Sequence, residues 1–159
     1  MKMDFNEIYK RYWDKVYRLC MGYFNRPALA QDLTQDTFVQ VWKHLSSFRQ
    51  QAEVGTWIFR IATNICLRQS QLQQRMPTTE LTTEIEEEET VETDHRVHQL
   101  YQSISQLPEI DRLLISLYLE EVKQAEIAQI TGLSETNVRV RIHRIKSALA
   151  QQMKKYETE

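Results

Sequence analysis

The side chains best suited to a chemical task in this chain of 159 residues lie near its end. There Ser134 to Tyr156 carries Arg139, Arg141, Arg144, Lys146, Lys154 and Lys155 against Glu135 alone. So many cations on one helix-length stretch attract phosphate, and arginine adds a planar fork of donors that fits the acceptor edge of guanine. A second group, Asp32, Gln35, Asp36 and Gln40, is spaced so that carboxylates and amides line one side of a helix, which suits a basic partner surface. In Asp94-His95-x-x-His98 two imidazoles stand at i, i+3, a spacing at which they can share a metal, but no third histidine is close by and a metal site is set aside. No nucleophile–base pair and no converging carboxylates occur. Catalytic residues, metals and cofactors are therefore not expected.

Composition narrows the classes further. Glycine occurs only at Gly22, Gly55 and Gly132, which excludes a dinucleotide-binding turn and a phosphate loop, since each needs two or more closely spaced glycines. Cys20 and Cys66 lie 46 positions apart, a spacing that suggests neither a zinc cage nor a disulfide framework, and reduced thiols in the cytoplasm are the expectation. Neither a signal peptide nor a membrane helix is expected, because no apolar run approaches spanning length. The net charge of −2 conceals segregation: residues 1–75 balance at +5, residues 76–98 at −7, and residues 99–159 at zero.

The elements that must position these groups read as helices, with no sheet: an all-α chain of two small helical domains joined by a flexible acidic linker. Phe5, Ile8, Tyr9, Tyr12, Val16, Leu19 and Tyr23 form one apolar stripe, broken at Asn25-Arg26-Pro27. From Ala28 to about Leu45, Leu33, Phe38, Val41, Trp42 and Leu45 point inward, with the acidic group on the other side. After a polar stretch, Ser46 to Gly55, the residues Trp57, Ile58, Ile61, Ile65 and Leu67 make a third stripe, completing a first domain over 1–75. Residues 76–94, with six Thr and the run Glu86 to Glu89, have too few large apolar groups to offset the entropy of ordering and read as the linker.

The second domain, 95–159, restarts at His95. Leu107-Pro108 places proline in the first turn of a helix lined by Leu113, Leu114, Leu117 and Tyr118. A short helix, Lys123 to Ile130, a tight turn at Thr131-Gly132-Leu133, and Ser134 as N-cap of a final helix to about Lys154 make a helix-turn-helix. On that last helix Val138, Ile142, Ile145 and Leu149 fall within about 60° and must pack inward. Thr136, Asn137, Val140, His143, Arg144 and Ser147 then face outward toward base edges, with Arg139 and Arg141 flanking them toward phosphates.

Taken together these segments resemble bacterial RNA polymerase sigma factors of the extracytoplasmic-function type, over about residues 5–155. Asp32-Leu33-Thr34-Gln35-Asp36-Thr37-Phe38-Val39-Gln40-Val41-Trp42 looks like the family's polymerase-binding helix. Phe48 with Thr56-Trp57-Ile58-Phe59-Arg60-Ile61-Ala62-Thr63-Asn64 looks like its minus 10 segment. Leu107-Pro108, Glu126-Ile127-Ala128, Gly132-Leu133-Ser134, Val138-Arg139 and Arg141-Ile142-His143-Arg144 look like its minus 35 reader. Two departures stand out: Arg68 occupies a position usually acidic, and Thr136-Asn137 replaces the usual Gly-Thr, which bears on promoter sequence.

The resemblance implies a sigma factor that binds core RNA polymerase through Asp32, Gln35, Asp36 and Gln40. It implies contacts to minus 10 DNA through Phe48, Trp57, Arg60, Asn64 and Arg68, and reading of minus 35 DNA with Thr136, Asn137, Arg139, Val140, Arg141, His143, Arg144 and Ser147. It also implies an anti-sigma partner and no catalysis. Aromatic faces beside cations suit an unstacked base, with the loop Ser46 to Gly55 as a pocket wall, although Trp57 taken alone fits a core position as well. The competing reading is a stand-alone helix-turn-helix regulator, which ordinarily requires a dimer. No uncommitted apolar stripe offers a dimer interface, and a monomer is expected.

Overall fold

A computed structural model describes residues 4–49, 53–76 and 95–157, which form seven α-helices and, among the described residues, no strand. The first three are α1 (Phe5–Phe24), α2 (Pro27–His44) and α3 (Val54–Arg75); then come α4 (His95–Ser105), α5 (Glu109–Leu119), α6 (Gln124–Thr131) and α7 (Glu135–Glu157). Helix ends follow local chemistry. Asp4 caps α1, and Asn25 closes it in the left-handed region (φ 51°), its N–H donating to Met21 O at 2.7 Å; Pro27 then opens α2. Pro108 sits one step earlier than expected, as the N-cap residue of α5 with Glu109 following it. Gly55 lies within α3, which begins at Val54, and a single 3-10 turn at Leu45–Ser47 takes up the start of the expected polar stretch. The acidic linker reading falls on residues 77–94, which lie outside those described.

Ile8, Val16, Leu19 and Tyr23 of α1 are buried as their spacing requires, against Leu33, Phe38 and Val41 of α2 and Ile58, Ala62 and Cys66 of α3. Thr34 and Thr37 are buried too, and their hydroxyls donate to Ala30 O at 2.6 Å and Leu33 O at 2.8 Å, which removes the cost of facing α2 inward there. Trp42 departs from expectation: it is 65% exposed, with one edge covered by Phe5 at 5.1 Å between ring centroids. A large aromatic residue next to Val41 reads as core from hydrophobicity, yet it lies past the rim of the buried stripe.

The two halves share one continuous buried cluster, joined where α5 and α4 lie on α1 and α6 meets α3. At Gly22 the backbone of α1 comes close to α5. A Cβ there would stand 2.9 Å from Ser116 Cβ, so the absence of a side chain lets α1 and α5 approach. Around it, Tyr23 Oη and Ser70 Oγ (2.6 Å) both donate to Glu109 Oε1. Arg112 donates to Tyr23 O at 3.0 Å and Leu107 O at 2.8 Å, while lying over the Tyr23 ring. At the far end of α5, Arg18 grips both oxygens of the buried Glu120 carboxylate, with contacts of 2.7–3.0 Å.

Gly22→Leu is expected to part the halves while each keeps its helices: small-angle scattering should give a larger radius of gyration at unchanged far-UV helix signal, and an unchanged radius would remove this account of the contact. Acid should weaken the same contact. The Ser70 and Tyr23 hydroxyls hold the Glu109 carboxyl below its usual pKa of 4.5. Its contribution to stability is thus complete above that value and is lost as pH falls through the lowered one. Glu109→Gln should melt at a lower temperature than the parent at pH 7, with the difference shrinking below pH 4.5; a constant difference would rule the ionised carboxylate out.

Candidate nucleic-acid interface

The outward side of α2 begins with Asp32, Gln35 and Asp36, all exposed, and continues through Val39 (49% exposed) to Trp42. Gln40 is half-buried at its edge. Sequence reading found the acidic end and missed the apolar continuation, because Val39 and Trp42 count toward a core in any hydropathy pattern. Beneath this face an aromatic seam ties α2 to α1: Trp13 stacks on Phe38 at 5.7 Å, and Tyr9 meets the Phe38 edge at 5.2 Å. The seam holds the surface rigid, and an acidic patch running into exposed tryptophan has the chemistry of a protein-docking face.

Phe48, just past the 3-10 turn, stacks on Trp57 in the first turns of α3 with centroids 4.5 Å apart and ring planes 22° from parallel. Both are half-buried. Trp57 therefore serves in packing and also forms, with Phe48, a composite aromatic edge at the start of the helix. Arg60, Asn64 and Arg68 follow along α3 at i, i+4 and i+8, all exposed, making a stripe of cations and amide beside that edge. Residues 50–52 of the expected pocket wall lie outside those described.

The helix-turn-helix is built as its sequence demands. Gly132 takes φ 77° and closes α6, its N–H donating to Ala128 O at 2.9 Å. Ser134 Oγ accepts from the backbone N–H of Asn137 at 3.1 Å, capping α7. Val138, Ile142, Ile145 and Leu149 are buried, which fixes the rotation of the helix. Thr136, Asn137, Arg139, Val140, His143, Arg144 and Ser147 are consequently exposed, Val140 to 41%. Arg141 is the departure. Its Nη1 lies 3.1 Å from Asp111 Oδ1 on α5 and its Nε donates to Asn137 Oδ1 at 3.0 Å. Lys146 is likewise turned toward α5, donating to Tyr118 Oη at 3.1 Å. A concavity of about 510 Å³ runs between Asp111 and the side of α7 that carries Thr136, Val140 and Arg144.

Other chemical groups do not converge. His95 and His98 are exposed on α4, and among the described residues no three His, Cys, Asp or Glu are placed to share a metal. Cys20 and Cys66 prove to be neighbours across α1 and α3, free thiols with Sγ atoms 3.7 Å apart, a proximity invisible in their sequence separation. The Cys20 thiol and burial push the Cys66 thiol well above its ordinary value, which suppresses the reactive thiolate. Among the described residues no helix is long and apolar enough to cross a membrane.

Comparison with known proteins gives the family. The family model for sigma-70 region 2 matches residues 8–76, and that for sigma-70 region 4 matches residues 98–149. The ECF RNA polymerase sigma factor SigW of Bacillus subtilis is 28% identical, over 95% of this chain and 88% of its own length. The ECF RNA polymerase sigma-E factor of Haemophilus influenzae is also 28% identical, over 93% and 86%. Among solved structures, the sigma factor RpoE from Bartonella quintana, in complex with the anti-sigma factor NepR, has the same fold at a TM-score of 0.75 and 17% identity, covering 95% of this chain and 97% of RpoE. CnrH, solved in complex with the cytosolic domain of CnrY, follows at 0.65 and 19%, covering 94% of this chain and 87% of CnrH. With both regions matched in order along most of its length, the chain belongs to the sigma-70 family, as an RNA polymerase sigma factor of the ECF type.

Proposed function

We propose that this chain directs promoter-specific initiation by joining core RNA polymerase and contacting two DNA elements. Residues 1–75 dock on polymerase and contact the minus 10 element, and residues 95–159 read the minus 35 element. The observation that carries the reading is that one chain exposes two unlike faces on separate helices: an acidic-to-apolar surface on α2, suited to protein, and the capped, basic α7 face, suited to a DNA groove. On α2, Asp32, Gln35 and Asp36 meet basic groups of the polymerase, with Gln40 at the margin and Trp42 adding apolar area. On α3, the Phe48–Trp57 edge takes an unstacked base while Arg60, Asn64 and Arg68 follow the backbone. The work is binding rather than bond-breaking chemistry. It is carried out in the cytoplasm by a monomer, and an anti-sigma protein restrains it, a reading supported by the complex of RpoE with the anti-sigma factor NepR.

The packed arrangement has a consequence for this function. Elements centred near positions −10 and −35 lie about 25 base pairs apart, roughly 85 Å along B-DNA at 3.4 Å per pair. A compact body of this length is roughly 40 Å across. Reading both elements at once requires α5 to leave α1.

Run-off transcription with core polymerase and a promoter library tests the reading, and absence of any sigma-dependent transcript would end it. Asp32→Lys with Asp36→Lys should abolish core binding at unchanged helix content, whereas retained affinity would move the docking face elsewhere. On DNA, Arg144→Ala should cost about 1–3 kcal/mol on the cognate minus 35 element and relax one base preference. Arg139→Ala should weaken all sequences alike and flatten the salt dependence by about one unit. Identical behaviour of the two variants would contradict their assignment to base and phosphate.

A further inference from the structure

Arginine and asparagine on α7 are both group types that contact DNA directly, but here Arg141 is occupied. One edge of its guanidinium meets Asp111 Oδ1 at 3.1 Å and Nε meets Asn137 Oδ1 at 3.0 Å; its side chain is 37% exposed and that of Asp111 20%. Guanidinium carries donors only, so the asparagine atom facing it must be the carbonyl oxygen, whichever way the amide is drawn. The NH₂ group is then the part of Asn137 left for the groove. Asn137 lies in the first turn of α7, lining the concavity with Thr136 and Val140, where the N-terminal residues of a recognition helix meet base edges.

We propose that Arg141 is a positioning residue rather than a phosphate contact: clamped by Asp111, it holds the Asn137 carbonyl inward, so that Asn137 reads a keto base, guanine or thymine, in the minus 35 element. The inference rests on the sigma-factor reading of α7. In the major groove guanine offers O6 and N7 and thymine O4, all acceptors, whereas cytosine places an amino donor there and adenine sets its N6 amino donor beside the single acceptor N7. The usual two-pronged contact of asparagine with adenine needs the amide oxygen turned to the N6 amino group, and here that oxygen is turned to Arg141 Nε, which holds one of its two lone pairs. Asp111 also neutralises the Arg141 charge where a phosphate would have to use it. This explains how a cation flanking the reading face can bear on base choice without touching DNA.

The test uses the full chain with core polymerase and a randomised minus 35 library, read by transcript sequencing, together with salt titrations of binding. Asn137→Ala identifies the base pair beneath residue 137 as the position whose preference flattens. At that position the parent should favour guanine or thymine over adenine and cytosine by about tenfold. Arg141→Met, freeing the carbonyl, should bring adenine to parity or above, with the salt slope unchanged. Asp111→Asn should loosen the same preference while steepening the slope by about one unit, because Arg141 is released toward phosphate. Helix content and core binding are measured for each variant, and if Arg141→Met fails to fold, Asp111→Asn carries the test. Adenine preferred by the parent, or Arg141→Met lowering the slope by one unit with preferences intact, would overturn the inference alone. A parent that yields no transcript from any library member would overturn the sigma-factor reading and this inference with it.

Discussion

The packing of α5 on α1 is the contact on which the arrangement of this molecule depends. It is possible because residue 22 has no side chain: the helices approach with Gly22 against Ser116, close enough that a methyl group would collide. That approach brings Tyr23 and Ser70 within reach of Glu109, and Arg112 within reach of the Tyr23 carbonyl. Tyr23, Ser70, Glu109 and Arg112 are satisfied by the same packing that covers them, while the Ser116 hydroxyl is buried against Gly22 without a partner, so the network and the apolar contact stand or fall together. Arg18 and Glu120 extend the same logic. A carboxylate as buried as Glu120 is tolerable only while the guanidinium grips both its oxygens, so opening this interface must rehydrate the two ions as a pair.

An interface of this kind bears on the separation proposed above. Opening it uncovers part of the apolar cluster that the halves share, but Glu109, Arg112, Arg18 and Glu120 all find water ready to replace their partners. The polar share of the contact therefore costs less to open than an equal area of apolar surface. Binding to polymerase and DNA is weakened by whatever fraction of molecules remains closed, and the same bias gives a restraining partner a form it need only stabilise.

How much of this was legible in the sequence divides along chain distance. The break at Asn25-Arg26-Pro27, the Gly132 turn, the Ser134 cap and the buried side of α7 are local and were readable, since each is set by neighbours within a turn; that Asn25 is left-handed and Pro27 opens α2 is seen only in the structure. The contacts between halves join residues separated by 39 to 102 positions, and no periodicity encodes which helix meets which. Trp42 was misplaced for a related reason: hydropathy reports that a ring prefers to leave water, and says nothing of whether its own chain or another molecule will cover it. Arg141 was given to phosphate because its angle on the helix is right. That Asp111, thirty residues earlier, pairs with it is visible only once the chain is folded.

These long-range contacts share one element. Glu109, Arg112 and Ser116 recur at three and four along α5 and meet the first half, while Asp111 and Tyr118, seven apart on its other side, hold Arg141 and Lys146 of α7. A helix of eleven residues thus has one side committed to closure and the other to the posture of the recognition helix. Leu113, Leu114 and Leu117 between these sides are almost wholly buried. In the opening proposed above, the side of α5 that parts from α1 is not the side that orients α7, so the reading face would not have to be rebuilt to meet DNA.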